Sequence, residues 1–169
     1  MANFIHIAPA KALPHVRRVG VKACRVGWPD VPRGVFLTPA TPDYDRTHQW
    51  VRELRRRERG PLAAVDVRVP DDEPVWFGHY GGPHAWATAA EACGRFLRYD
   101  DPRGWEVILP RRVAAKEVRR ARPVRPVVGW RAFPNAKGKP WCRCDWCTRG
   151  QRGAGRLRRL RRLAGAARP

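Results

Sequence analysis

The chain lacks any apolar run long enough to cross a bilayer, which requires about 18 consecutive apolar residues. Its opening residues, Met1 to Ile7, lack the charged and long apolar regions of a signal peptide. The chain contains only 5 cysteines, an odd number, and three of them lie close together within residues 142–147. That distribution does not fit a secreted disulfide framework. These absences predict a protein without a membrane partner, in the reducing setting of the cytoplasm.

Acidic residues are nearly absent from the last third of the chain. Residues 111–169 hold 19 Lys and Arg but only 2 Asp and Glu, whereas residues 1–110 hold 16 and 13. Such a segment repels itself unless a polyanion or counterions neutralise it. Arginine predominates over lysine, and its planar guanidinium can donate two parallel hydrogen bonds to a phosphate group. The candidate contact residues are Arg111, Arg112, Arg119, Arg120, Arg156, Arg158 and Arg159.

Nucleic acid, DNA or RNA, is the partner that this charge distribution favours. No helix-turn-helix or other reader motif is visible, so sequence specificity is not predicted. Another polyanion, association with ribosomes, or an arginine-rich composition without a partner stay open as alternatives.

Apolar residues make up 43% of the chain, and the 8 Trp provide large side chains for a core. The sequence predicts one domain over residues 1–133, followed by an irregular basic extension over 134–169. Short strands outnumber helices, which is typical of an α+β fold. Strands are predicted over 3–8, 34–38, 62–69, 75–77, 104–109 and 124–130. Helices are predicted over 13–19, 42–59 and 88–99, with a small arginine-rich helix over 156–167. Thr41 is the predicted cap of the second helix, whose apolar stripe contains Trp50, Val51 and Leu54. Thr88 and Glu91 form a capping-box pattern at the start of the third.

Two polar residues lie inside apolar strands. Glu106 stands between Trp105 and Val107, where an ionised carboxylate is costly unless a cleft solvates it or a partner pairs with it. His6 follows Phe4-Ile5 in the first strand. Both have simpler explanations, since Glu106 could face solvent and His6 could be a satisfied core histidine.

The order of several short motifs resembles the ADP-ribosyltransferase superfamily, and most closely the DarT-type enzymes that modify DNA. The resemblance lies in residues 4–7, in Leu13-Pro14 followed by Gly20, in residues 34–39, and in residues 105–110. It extends over about two-thirds of the chain, and the chain departs from the pattern at Ala8-Pro9. It implies a split β-sheet core with short helices.

The resemblance also implies a function, namely NAD-dependent transfer of ADP-ribose to nucleic acid or to a nucleic-acid-associated target. In this family His6 would hydrogen-bond a ribose hydroxyl of NAD. Tyr44 would stack on the nicotinamide ring, with Phe36 behind it. Glu106 would be the catalytic residue, bonding the second hydroxyl, stabilising an oxocarbenium-like transition state and taking a proton from the nucleophile. A toxin or defence role is expected of the family.

A cysteine cluster lies in the C-terminal extension. Cys142, Cys144 and Cys147 form a C-x-C-x-x-C pattern, and a tetrahedral zinc ion needs four such ligands. The fourth would come from Cys24, Cys93, His79 or His84. The pattern favours a structural zinc site, which would stabilise a segment that has few apolar side chains. Free thiols and a redox function are the alternatives.

Three functional hypotheses follow from the sequence. The first is the NAD-dependent enzyme, which accounts for His6, Glu106 and the basic flank together. The second is a non-catalytic nucleic-acid-binding protein with a zinc-stabilised C-terminus. The third is an RNA 2′-phosphotransferase-like enzyme, which would need several His and Arg residues around a phosphate.

Overall fold

A computed structural model describes residues 1–26, 31–55, 57–58 and 60–124. They all belong to one compact unit, Met1–Ala132. The predicted extension over 134–169, the arginine-rich helix and nearly all of the 124–130 strand lie outside the described residues. So do Cys142, Cys144, Cys147, Arg156, Arg158 and Arg159. Within the described ranges, no helix is long and apolar enough to span a membrane.

The described residues form an open antiparallel sheet with a few short helices. The strands are β1 (Ala2–Pro9), β2 (Cys24–Arg25), β3 (Arg33–Pro39), β4 (Leu62–Val69), β5 (Pro74–His79), β6 (His84–Thr88), β7 (Trp105–Leu109) and β8 (Val118–Pro123). Their order is β6-β5-β7-β3-β1-β4-β8, with β2 paired to β3. The helices are α1 (Leu13–Val19), α2 (Tyr44–Thr47), α3 (Val51–Leu54) and α4 (Ala89–Arg98). The predicted α+β class is confirmed.

A ladder of only two residue pairs joins β3 to β1, and so joins the part of the sheet with β5, β6 and β7 to the part with β4 and β8. β1 pairs with β4 along its whole length, from Ala2 to Pro9. Its register with β3 contains only Phe4 opposite Pro39 and Ile5 opposite Thr38. Beyond Ile5, β1 and β3 run on without further paired residues. An interruption of the backbone ladder therefore begins at His6.

The main core lies on one face of the sheet. Phe4, Leu37, Phe77 and Val107 are buried there, and α4 packs Phe96 against them. The opposite face carries a smaller cluster of Val31, Trp76 and Ile108, against which Phe36 packs. Because side chains alternate along a strand, Glu106 shares its face with Ile108 and stands opposite the main core.

Most predicted elements are present at nearly the predicted positions: β1, β3, β4, β5, β7, α1 and α4. Gly20 ends α1 with a φ of 86°, and a Cβ there would lie 1.9 Å from the Val113 carbonyl oxygen. Only glycine fits that position. Thr88 and Glu91 form the predicted capping box at the start of α4.

The prediction of one helix over 42–59 is wrong, since this segment forms the two short helices α2 and α3. Asp43, not Thr41, accepts a hydrogen bond from the backbone of the first turn, from the Arg46 N–H. Between the helices the buried Gln49 accepts from the Gly104 N–H and donates to the Pro102 carbonyl. We attribute the break to these tertiary bonds, which tie the chain to the loop before β7. Leu54, predicted on the apolar stripe, is exposed.

Three strands were not predicted from the sequence: β2, β6 and β8. β8 is rich in arginine and ends in proline, so its sequence has no apolar alternation, and pairing with β4 holds it in the sheet. β6 follows the turn over residues 80–83, whose Gly81-Gly82-Pro83 is a recognisable turn signal before a hairpin strand.

Candidate functional site

Glu106 is the second residue of β7, and its carboxylate contacts a histidine on a nearby strand. The residue is 9% exposed, and its side chain keeps 12% of its surface accessible. Its Oε1 lies 3.3 Å from Nε2 of His84 on β6. This contact anchors the carboxylate through Oε1.

Cross-strand pairing connects Glu106 to the end of the short ladder. Val107 stands opposite Leu37, so the next residues in register are Glu106 and Thr38. Thr38 in turn stands opposite Ile5. Glu106, Thr38 and Ile5 therefore form one row across β7, β3 and β1. Two strand spacings, about 10 Å, separate the outer members of the row.

His6 lies immediately after Ile5, where the ladder between β1 and β3 ends. Its Nδ1 is 2.9 Å from the Phe36 carbonyl oxygen of β3. Burial lowers the pKa of His6, so the ring is neutral near pH 7. A neutral ring that donates Nδ1–H to a carbonyl presents Nε2 as an acceptor. That nitrogen suits a ligand hydroxyl.

The two predicted site residues stand on strands that are two positions apart in the sheet. His6 is in register with Val65 of the main core, whereas Ile5 is in register with Asp66. Regular alternation therefore turns His6 away from the face that carries Glu106. Their side chains meet one ligand only if it enters at the interruption between β1 and β3.

The two aromatic candidates occupy different places. Tyr44 lies at the start of α2, is 38% exposed, and stacks on His48 with ring centroids 4.0 Å apart. Phe36 packs against the cluster of Val31, Trp76 and Ile108, on the Glu106 face. The Phe36 side chain thus lies on the Glu106 face of β3, while Tyr44 belongs to the segment after β3.

Sequence reasoning missed two residues of the site, His84 and Gly78. His84 was considered only as a fourth zinc ligand, yet it contacts Glu106. Gly78 stands opposite Glu106 on one side and opposite His84 on the other. The one signal in the sequence was the turn at 81–83, which makes β5 and β6 a hairpin and brings His84 beside Gly78.

The basic candidates divide into paired and exposed residues. Arg111 donates to Glu73 at 2.8 Å and to Glu117 at 2.7 Å, and these carboxylates raise its pKa. Its guanidinium already serves an ion-pair network. Arg112 is exposed and donates to the Val19 carbonyl. Arg119 and Arg120 on β8 are exposed.

The described ranges contain no group of three or more His, Cys, Asp or Glu side chains placed to hold a metal ion. Cys24 is exposed and Cys93 is half-buried, and both are free thiols. Burial raises the pKa of the Cys93 thiol to about 11. The three clustered cysteines lie outside the described residues, so the zinc hypothesis stays a prediction.

Buried His48 makes stability sensitive to acid. Burial and the nearby Arg122 lower its pKa to about 4, against its Nδ1 bond to the Tyr44 carbonyl. The folded state keeps the ring neutral, whereas the unfolded chain binds a proton below pH 6.5. The free energy of unfolding should therefore fall by about 3 kcal/mol as the pH drops from 6.5 to 4. Urea unfolding of wild type across this range measures it.

A His48→Gln variant should lack this component of the pH dependence, because glutamine does not titrate. His15→Gln removes an exposed histidine and serves as the control. If wild type and His48→Gln differ by the same free energy at pH 7 and pH 4, the assignment to His48 is wrong.

No model of a known protein family, no curated protein and no solved structure matches the chain.

Proposed function

We propose that this chain is an NAD-dependent ADP-ribosyltransferase-like enzyme that modifies nucleic acid or a nucleic-acid-bound target. The observation that carries the proposal is the position of the interruption between β1 and β3. It begins at His6, and the row of residues at its edge leads through Thr38 to Glu106. A split in the sheet at this point is compatible with the core that the family resemblance implies.

Two hydrogen-bond acceptors on either side of β3 support the choice of the nicotinamide ribose of NAD as the ligand. A ribose presents two hydroxyls, and the site offers two acceptors on different strands. Nε2 of His6 is an acceptor because Nδ1 is bound to Phe36. Oε2 of Glu106 is an acceptor because Oε1 is bound to His84. Because β3 lies between the two strands, the sugar would have to enter at the interruption, where the ladder between β1 and β3 ends.

When bound, NAD supplies the glycosidic bond whose cleavage transfers ADP-ribose to an acceptor and releases nicotinamide. An anion at Glu106 stabilises the positive charge that develops as this bond breaks. The same carboxylate takes the proton that the acceptor atom loses when it bonds to the ribose carbon. His6 holds the sugar through its hydroxyl, and Phe36 supports the β3 side.

The direct test is to incubate the protein with NAD labelled in its adenine, together with DNA, RNA and a protein mixture, and to measure nicotinamide release. The proposal expects label on one class of acceptor and a matching amount of nicotinamide. Release without labelled acceptor would indicate hydrolysis only. Absence of both, in a folded sample, would contradict the proposal.

A second candidate, the non-catalytic nucleic-acid-binding protein, is favoured by the exposed Arg119 and Arg120 on β8. Both functions predict contact with phosphate, so replacing these two residues tests the interface itself. Each lost phosphate contact should reduce the slope of log affinity against log salt by about 0.9. The double variant Arg119→Gln, Arg120→Gln should therefore lower the slope by about 2.

Arg95→Gln on α4 is a matched control, because it removes an equally exposed charge from another element. Filter binding of a short duplex and a short single strand at several salt concentrations gives the slopes. An unchanged slope in the double variant would exclude these residues from the interface.

A further inference from the structure

The β5–β6 hairpin carries His84 across a strand to Glu106. β5 lies between β6 and β7 in the sheet, and Gly78 of β5 stands opposite both His84 and Glu106. A Cβ at Gly78 would lie 2.5 Å from Cγ of His84. The imidazole therefore occupies the space that a side chain of β5 would fill. Glycine at this position is what allows Nε2 to approach Glu106 to 3.3 Å.

The surroundings of His84 determine which ring nitrogen faces Glu106. Its Nδ1 lies 3.2 Å from the Gly82 carbonyl oxygen, which can only accept a hydrogen bond. Nδ1 must therefore be protonated. Nε2 is then the nitrogen that meets Oε1 of Glu106.

We propose that His84 is the positioning residue of Glu106: its Nε2 holds Oε1, so that Oε2 is the oxygen presented to the ligand. The side chain of His84 is 0% exposed, and Trp76 lies beside it with ring centroids 5.0 Å apart. The ring is thus fixed on two sides, and it fixes the plane of the carboxylate. The pairing stands on geometry alone, whereas its effect on turnover rests on the proposed function.

The contact is tested without any turnover by the imidazole ¹⁵N shifts of His84 at pH 7. Wild type should show a protonated Nδ1, because Nδ1 faces the Gly82 carbonyl oxygen. In Glu106→Gln an amide replaces the carboxylate beside Nε2, so the Nε2 shift should change while Nδ1 keeps its proton. The resonance is assigned by its loss in His84→Gln. An unprotonated Nδ1 in wild type, or identical ¹⁵N shifts in wild type and Glu106→Gln, would overturn the proposal.

Turnover of NAD provides the second test. His84→Ala should lower kcat by about 10²-fold, the cost of a carboxylate displaced by about 1 Å, and leave the KM for NAD nearly unchanged. His84→Gln, whose amide can still donate to Oε1, should recover most of the rate. Gly78→Ala should reproduce the loss by displacing the ring together with the start of β6, since its Cβ would also lie 2.6 Å from the Pro83 carbonyl oxygen. Gly81→Ala, where a Cβ has its nearest neighbour at 3.7 Å, is the control.

The failures of the two proposals are distinguishable. Wild type that releases no nicotinamide contradicts the proposed function, and the ¹⁵N shifts still decide the pairing. Wild type that turns over, together with His84→Ala and Gly78→Ala at the wild-type rate, contradicts the positioning role alone.

Discussion

Glu106→Gln should lower nicotinamide release by about 10²- to 10⁴-fold, and it should leave the fold intact. The amide keeps the shape and the contact with His84, but it lacks the negative charge that stabilises the transition state and cannot take a proton. Affinity for NAD should change little, because the amide oxygen still accepts a hydroxyl. The loss should therefore appear in kcat and not in KM.

Asp72→Asn is the matched control for Glu106→Gln. It neutralises an exposed carboxylate in the turn between β4 and β5 and should turn over like wild type. Thermal unfolding of both variants separates a chemical loss from a folding defect. Turnover of Glu106→Gln within a few-fold of wild type would remove this residue from the chemistry.

Phe96→Ala should lower the free energy of unfolding by about 3–5 kcal/mol, the range for truncating a buried aromatic side chain. Phe96 is 0% exposed and packs from α4 into the core on the face of the sheet opposite Glu106. A small domain has a total stability of about 5–15 kcal/mol, so this variant should lose a large fraction of it. Urea unfolding at 25 °C measures the loss.

The neighbouring Leu97 provides the comparison, because it is 57% exposed on the same helix. Leu97→Ala should change stability by less than about 0.5 kcal/mol. Equal losses in the two variants would mean that α4 does not pack against the sheet through Phe96.

Local patterns were sufficient to predict most of the main elements. The apolar strands that became β1, β3, β4 and β7 were readable because each is a run of apolar residues ended by glycine or proline. The start of α4 was readable because Thr88 and Glu91 have the spacing of a capping box. Glu106 was recognisable because a carboxylate between apolar neighbours needs an explanation that a solvent-facing residue does not.

Residues whose roles depend on distant partners could not be read from local patterns. The segment over 42–59 has the local signals of one helix, yet it forms two short helices. Gln49 lies between them and bonds to the distant residues Pro102 and Gly104. Arg111 resembled a phosphate ligand in a basic run, yet it pairs with Glu73, which lies 38 positions away in the sequence. His84 reaches Glu106 only because the register places Gly78 between them. Such relations depend on strand order, and a single sequence does not specify strand order.

The central claim is that NAD binds at the interruption between β1 and β3, beside Glu106. It is tested most directly by adding NAD to ¹⁵N-labelled Glu106→Gln protein, which should bind NAD without turning it over, and by following the backbone amide resonances. The account predicts saturable shifts concentrated at His6, Ile7, Phe36 and Thr38 and around the substituted position in β7. Shifts confined to other elements, or none at millimolar NAD, would contradict it.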